Sequence, residues 1–164
     1  MKKILFCLIA VFSVCVSLIA CGKKSYEGMK SLLEERDYDA ITKSFGDGYT
    51  ELESDSYEDI KYESVTIDSE EYILYIKFFG SGNTASKRIC GYCADESELN
   101  NKVAEIYNWL KDLYGEPLKS REGEKNKNYI WKINDSEKLQ LDAGVSSDGE
   151  ICSFAITKTE KKSL

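Results

Sequence analysis

The chain has 164 residues, with 22 lysines and arginines against 29 aspartates and glutamates, a formal charge of −7 and no histidine. So acidic a body is repelled by phosphate backbones, which argues against nucleic acid as a partner. The missing histidine removes Ser-His and Cys-His nucleophile activation, histidine acid–base work and nearly every ordinary catalytic zinc shell.

Met1-Lys2-Lys3 is a basic start, and Ile4 to Ile19 is an apolar run interrupted only by Ser13 and Ser17. These 16 residues fall short of the ~20 that a bilayer span needs. Small Ala20 before Cys21 suits a signal-peptide cleavage site. Leu18-Ile19-Ala20-Cys21 resembles the lipobox of bacterial lipoproteins, a resemblance that covers residues 1–22. It implies that residues 1–20 are a signal peptide and that Cys21 carries the lipid, with palmitate-type acyl chains, as the mature N-terminus. It also implies an extracytoplasmic protein anchored in the cell membrane or outer membrane. Loss of Lys2 and Lys3 with the leader would move the charge from −7 to −9. Residues 21–25 then form a tether, and Gly22 to Ser25 span at most about 14 Å. So short a tether suits a partner that is itself at the membrane.

Residues 26–164 read as one ectodomain. Met29, Leu32 and Leu33, then Tyr38, Ile41 and Phe45, follow helical spacing, with Asp37 as a cap for the second helix and Gly46 as its stop. Next comes an acidic run, Glu51, Glu53, Asp55, Glu58 and Asp59. It lacks the EF-hand loop pattern and reads as solvated surface. Lys61 to Asp68 is a weak strand candidate. Tyr72 to Phe79, apolar on both sides apart from Lys77, reads as a doubly covered strand. Gly80 to Asn83 is a turn, and Lys87 to Cys93 a third strand.

The second half opens on the best helix: Leu99, Val103, Ile106, Leu110 and Leu113 make one apolar stripe. Asp95 with Glu98 resembles a capping box, and Gly115 followed by Pro117 marks the stop. After a polar loop, strands are predicted at Tyr129 to Ile133, Leu139 to Ala143 and Ile151 to Thr157, the first two joined by Asn134-Asp135-Ser136. Tyr72, Tyr129 and Trp131 read as core aromatics, and Trp109 as a partly exposed one.

The halves 26–93 and 95–158 share three anchors in the same order: Gly46 with Gly115, Ser69 with Ser136, and Cys90 with Cys152. Drifting offsets of this kind are what a diverged duplication leaves. Two copies of a helix followed by three strands give an α+β fold, a mainly antiparallel sheet with helices on one face. This layout is similar to the tandem α-β repeats of the β-lactamase inhibitor protein family and to the small α-β lipoprotein of the outer-membrane assembly machinery. The resemblance implies a module that binds proteins through its open sheet face, and no binding residue is carried over from it.

Cys90, Cys93 and Cys152 are the cysteines beyond Cys21 and the leader. Cys152 shares an apolar face with Phe154 and Ile156. By the repeat match Cys90 is expected to be buried too, as a small hydrophobe or bridged to Cys152. Cys90-Gly91-Tyr92-Cys93 has thioredoxin-type spacing, so a thiol-disulfide redox protein using Cys90 and Cys93 is the alternative. It lacks that family's cis-proline loop, since Pro117 is the only proline. The expectation is a non-catalytic envelope binding module that needs no cofactor. Fatty-acid labelling tests the anchor: the intact chain should take up label and sediment with membranes, and Cys21→Ala should do neither.

Overall fold

The computed structural model describes residues 26–53, 59–78 and 84–160. The leader, Cys21 and its tether, Asp55 and Glu58, and Phe79 with the turn at 80–83 lie outside the described residues. The fold is α+β, with three helices among the described residues packed against one antiparallel sheet.

Helices α1 (Glu27–Glu34) and α2 (Tyr38–Phe45) bury Met29, Leu32, Leu33 and Ile41. Asp37 caps α2 by accepting from the Asp39 N–H at 3.0 Å. The cap of α1 comes from far along the chain. The Asp68 carboxylate accepts from the Gly28 N–H at 2.8 Å and the Met29 N–H at 3.0 Å. Asp68 and Ser69 form the two-residue turn between β2 (Ile60–Ile67) and β3 (Glu70–Phe78), with φ of 51° and 69°. Left-handed backbone costs a non-glycine residue about 1 kcal/mol. The tight hairpin needs that twist, and the helix cap offsets the strain. A Cβ on Gly28 would come within 2.7 Å of Asp68 Oδ1, so the helix can approach this turn only with glycine there.

Strand β4 (Thr84–Cys93) leads into α3 (Glu96–Tyr114), the long predicted helix. The capping box forms: the Glu98 N–H donates to Asp95 at 2.8 Å, and Glu98 accepts in return from the Ala94 N–H at 2.7 Å. Leu99, Val103, Ile106 and Leu110 are buried, while Leu113, the last residue of the stripe, is exposed. Then follow β5 (Lys119–Glu122), β6 (Asn126–Lys132), β7 (Glu137–Val145) and β8 (Cys152–Glu160). With β1 (Thr50–Glu51), the strands form one eight-stranded sheet in the order β1-β2-β3-β4-β8-β7-β6-β5. Each half of the chain thus supplies helix followed by a four-strand meander, and β4 paired with β8 joins them. The expected three strands per half become four through the short β1 and the fully exposed β5, neither of which has an apolar alternation to betray it.

All three helices lie on one face of the sheet. Tyr26 at the start of α1 stacks on Trp109 of α3 at 5.1 Å between ring centroids, and its hydroxyl donates to Glu105 at 3.2 Å. Tyr38 of α2 meets Phe78 of β3 edge-on at 4.8 Å, and Tyr107 of α3 meets Tyr129 of β6 at 4.8 Å. Beneath α3 the Trp131 indole N–H donates to the Gly115 carbonyl at 2.9 Å. Trp109 is thus half-buried by Tyr26, while Tyr72, Tyr129 and Trp131 are core as expected. Strand β3 is not doubly covered. Tyr72, Leu74 and Ile76 are buried under the helices, and Ile73 and Tyr75 lie half-exposed on the face no described helix covers.

One end of the covered face is ionic. Lys87 and Lys158, directly paired across β4 and β8, are both buried. Lys87 Nζ donates to the Glu35 carbonyl in the α1–α2 connection. Lys158 lies 3.6 Å from Glu137 and 3.5 Å from Glu160. Arg36 closes the cluster from outside, bonding Glu137 and standing 3.5 Å from Glu160. Burial alone would push Glu137 up, but Lys158, Arg36 and the Asn134 amide together hold it below the usual range. Burial and the neighbouring Lys158 cation push Lys87 down to about 8, against the partial opposition of Glu160 and Glu35. The unfolded chain, whose lysine titrates near 10.4, therefore binds the extra proton between these values. Lys87 adds stability as pH rises through that window and loses it as pH falls through 8. The unfolding free energy of the native chain minus that of Lys87→Met should rise by about 2 kcal/mol from pH 8 to pH 10, read by urea titration. A flat difference would mean that Lys87 titrates as if solvated.

Candidate functional site

Because strand side chains alternate, the register fixes what looks away from the helices. Reading across the ladders, one row runs Tyr75, Arg88, Thr157, Gln140, Ile130, Lys119. The next runs Ile73, Cys90, Ala155, Asp142, Asn128, Arg121. A third runs Tyr92, Ser153, Gly144, Asn126. In the last two rows the centre is small (Cys90, Ala155, Ser153, Gly144) and the ends are tall. The result is a cleft of about 630 Å³, a size ordinary for a ligand site. Tyr75, Arg88 and Tyr92 wall one side, and Arg121 with the Gly123–Lys125 hairpin walls the other. Gly91 lets the floor stay thin: on the covered face the Phe154 ring sits where a Cβ on Gly91 would approach to 2.5 Å.

The polar groups of this cleft are unequally used. Asp142 on the floor is held, accepting from the Asn128 amide at 2.5 Å and the Gln140 amide at 2.7 Å. Lys127 turns to the covered face and donates to Asn100 of α3 at 2.7 Å. Lys125 at the rim donates to the Ser147 carbonyl at 3.4 Å. Arg88 and Arg121, two of the three arginines in the chain, make no ion pair or side-chain hydrogen bond with any described residue. Their positive charge stands out on a protein of net charge −7. Tyr92, 64% exposed, stands beside them as an accessible aromatic.

The cysteines divide between the two faces. Cys90 lies half-buried on the cleft floor opposite Ala155, whereas Cys152 is buried on the covered face. This corrects both the expectation that the two match and the expectation that they bridge. An offset of 62 residues is even, and β4 and β8 present residues of opposite parity to the helices, so the anchor cannot preserve facing. The thioredoxin-type alternative is also corrected. Strand β4 runs without a break through Cys90 and Cys93, which puts them about 10 Å apart and on opposite faces, beyond the reach of a disulfide. Among the described residues, no group of three or more acidic or thiol side chains is placed to hold a metal ion, and no helix is long and apolar enough to cross a membrane.

Sequence reasoning pointed to the open face but missed Arg88, Arg121, Tyr75 and Asp142. The signal was present: once strand faces are assigned, two of only three arginines fall on the same sheet face, the one that no described helix covers. No family model, curated protein or solved structure matches the chain. Side chains that support no fold contact are cheap to remove. Arg88→Ala and Arg121→Ala should each shift unfolding free energy by less than about 0.5 kcal/mol. Glu137→Ala should cost about 3 kcal/mol, because it leaves buried Lys87 and Lys158 together with Arg36 facing the single carboxylate of Glu160.

Proposed function

We propose that this is a lipid-anchored protein of the cell envelope, held through Cys21, whose uncovered sheet face docks a protein partner presenting carboxylates. The observation that carries the docking reading is the pair of unpartnered guanidinium groups, Arg88 and Arg121, on opposite walls of the cleft. Guanidinium groups bind carboxylates through two parallel hydrogen bonds and are enriched at protein interfaces. Exposed Tyr92 supplies a rigid aromatic contact of the kind that anchors such interfaces. The lack of histidine favours binding over catalysis. The anchor reading rests on the lipobox-like Leu18 to Cys21 and the charge pattern before it.

Photocrosslinking in intact cells tests both parts. A photoreactive residue replacing Tyr92 should give one discrete protein adduct, whereas one replacing Asn108, exposed on α3, should give none. The Tyr92 adduct should fall at least tenfold in the Arg88→Glu, Arg121→Glu double variant. It should also fall in Cys21→Ala, which releases the chain from the membrane. Equal adducts from both positions, or an adduct indifferent to the arginines, would sink the docking reading. Retention of Cys21→Ala at the membrane would sink the anchor.

A further inference from the structure

The sheet register singles out one pair among the three thiols. Cys93 and Cys152 are directly opposed in the β4·β8 ladder, at its last rung. Directly opposed residues of antiparallel strands have Cα atoms about 4.5–5.5 Å apart and side chains on the same face. That spacing lies within the range disulfides span, roughly 4.4–6.8 Å. Both side chains look toward the helices, Cys152 buried and Cys93 half-buried. Cys90 is excluded from either pairing by facing the other side of the sheet. We propose that Cys93 and Cys152 are a cross-strand disulfide site, a covalent staple that closes when the chain meets an oxidising thiol pool. The pairing follows from the register; its closure in the cell rests on the extracytoplasmic placement proposed above.

The chemistry needs one disulfide of low mass as oxidant, of the oxidised-glutathione class. Cys93, the more accessible thiol, gives up its proton, and its thiolate attacks one sulfur of that disulfide and expels the first thiolate. Cys152, deprotonated in turn, attacks the Cys93 sulfur of the mixed disulfide and expels the second. Two protein thiols are oxidised and one disulfide is reduced to two thiols. Burial and the Glu98 carboxylate push the Cys93 thiol up, so little thiolate exists at neutral pH. Exchange is therefore slow, which fits a bond made once and kept.

The staple would join the last residue of β4 to the first of β8, across the ladder that unites the two meanders. It would also fix the chain two residues before Asp95, the cap of α3. Closing so long a loop should raise the thermal midpoint by roughly 10 °C.

The test starts from the full chain, isolated from its own membrane with thiols blocked before unfolding. A second sample is reduced, purified in detergent and equilibrated with oxidised glutathione. Peptide mapping should find Cys93 linked to Cys152 and Cys90 alkylated in both samples. Cys90→Ser should keep the link and the higher midpoint, while Cys93→Ser and Cys152→Ala should lose both. A link that includes Cys90, or no intramolecular link in the glutathione sample, would overturn the proposal. A link formed with glutathione but thiols found in the membrane isolate would uphold the site and overturn the extracytoplasmic placement instead.

Discussion

Everything in this molecule depends on the antiparallel pairing of β4 with β8. The long helix α3 packs over β4, β7 and β8, strands from both meanders, and the central ladder makes one continuous floor out of two. Because strand side chains alternate, that ladder also sorts the chemistry. Ile89, Phe154 and Ile156 go beneath the helices, while Arg88, Cys90 and Ala155 go to the other side. A slip of one residue would expose the first group and bury the second, so the hydrophobic pattern of β4 and β8 guards the cleft as well as the core.

The covered face is apolar through its middle and ionic at one end. Lys87 and Lys158 sit side by side in the central ladder, an arrangement that would be repulsive on its own. Glu137 of β7, Glu160 of β8 and the Glu35 carbonyl of the α1–α2 connection make it tolerable, and Arg36 balances the two carboxylates from outside. Such clusters add little net stability but punish misplacement, since a lost partner strands a buried charge. Here the cluster ties a helical connection to three neighbouring strands, where an apolar contact would allow sliding. The Asp68 carboxylate performs a comparable task for α1, holding the helix start against the β2–β3 turn.

The three described helices, the caps of α2 and α3 and five of the six interior strands were clearly legible in the sequence because each carries a period or an end signal, whereas the cap of α1, supplied by distant Asp68, was not. The rest failed for physical reasons. Strand β2 looked weak because a bulge between Tyr62 and Val65 puts residues three apart on the same face, which breaks the alternation. Strands β1 and β5 bury nothing and carry no pattern, since edge strands are defined by pairing alone. The second side of β3 looked covered because Ile73 and Tyr75 are apolar. They are half-screened by neighbours in the sheet and not by a helix. The cleft was invisible in one dimension: Arg88 and Arg121 are 33 residues apart and come to the two walls of one cleft only through the β4-β8-β7-β6-β5 order.

Tyr26 begins the described chain with its ring locked against Trp109 and its hydroxyl on Glu105. The polypeptide therefore enters the domain within the helix layer, one full sheet thickness from Arg88 and Arg121. On the proposed function, attachment ahead of Tyr26 and docking at the cleft would lie on opposite faces of the sheet, so that a force applied through the one would not pull across the mouth of the other.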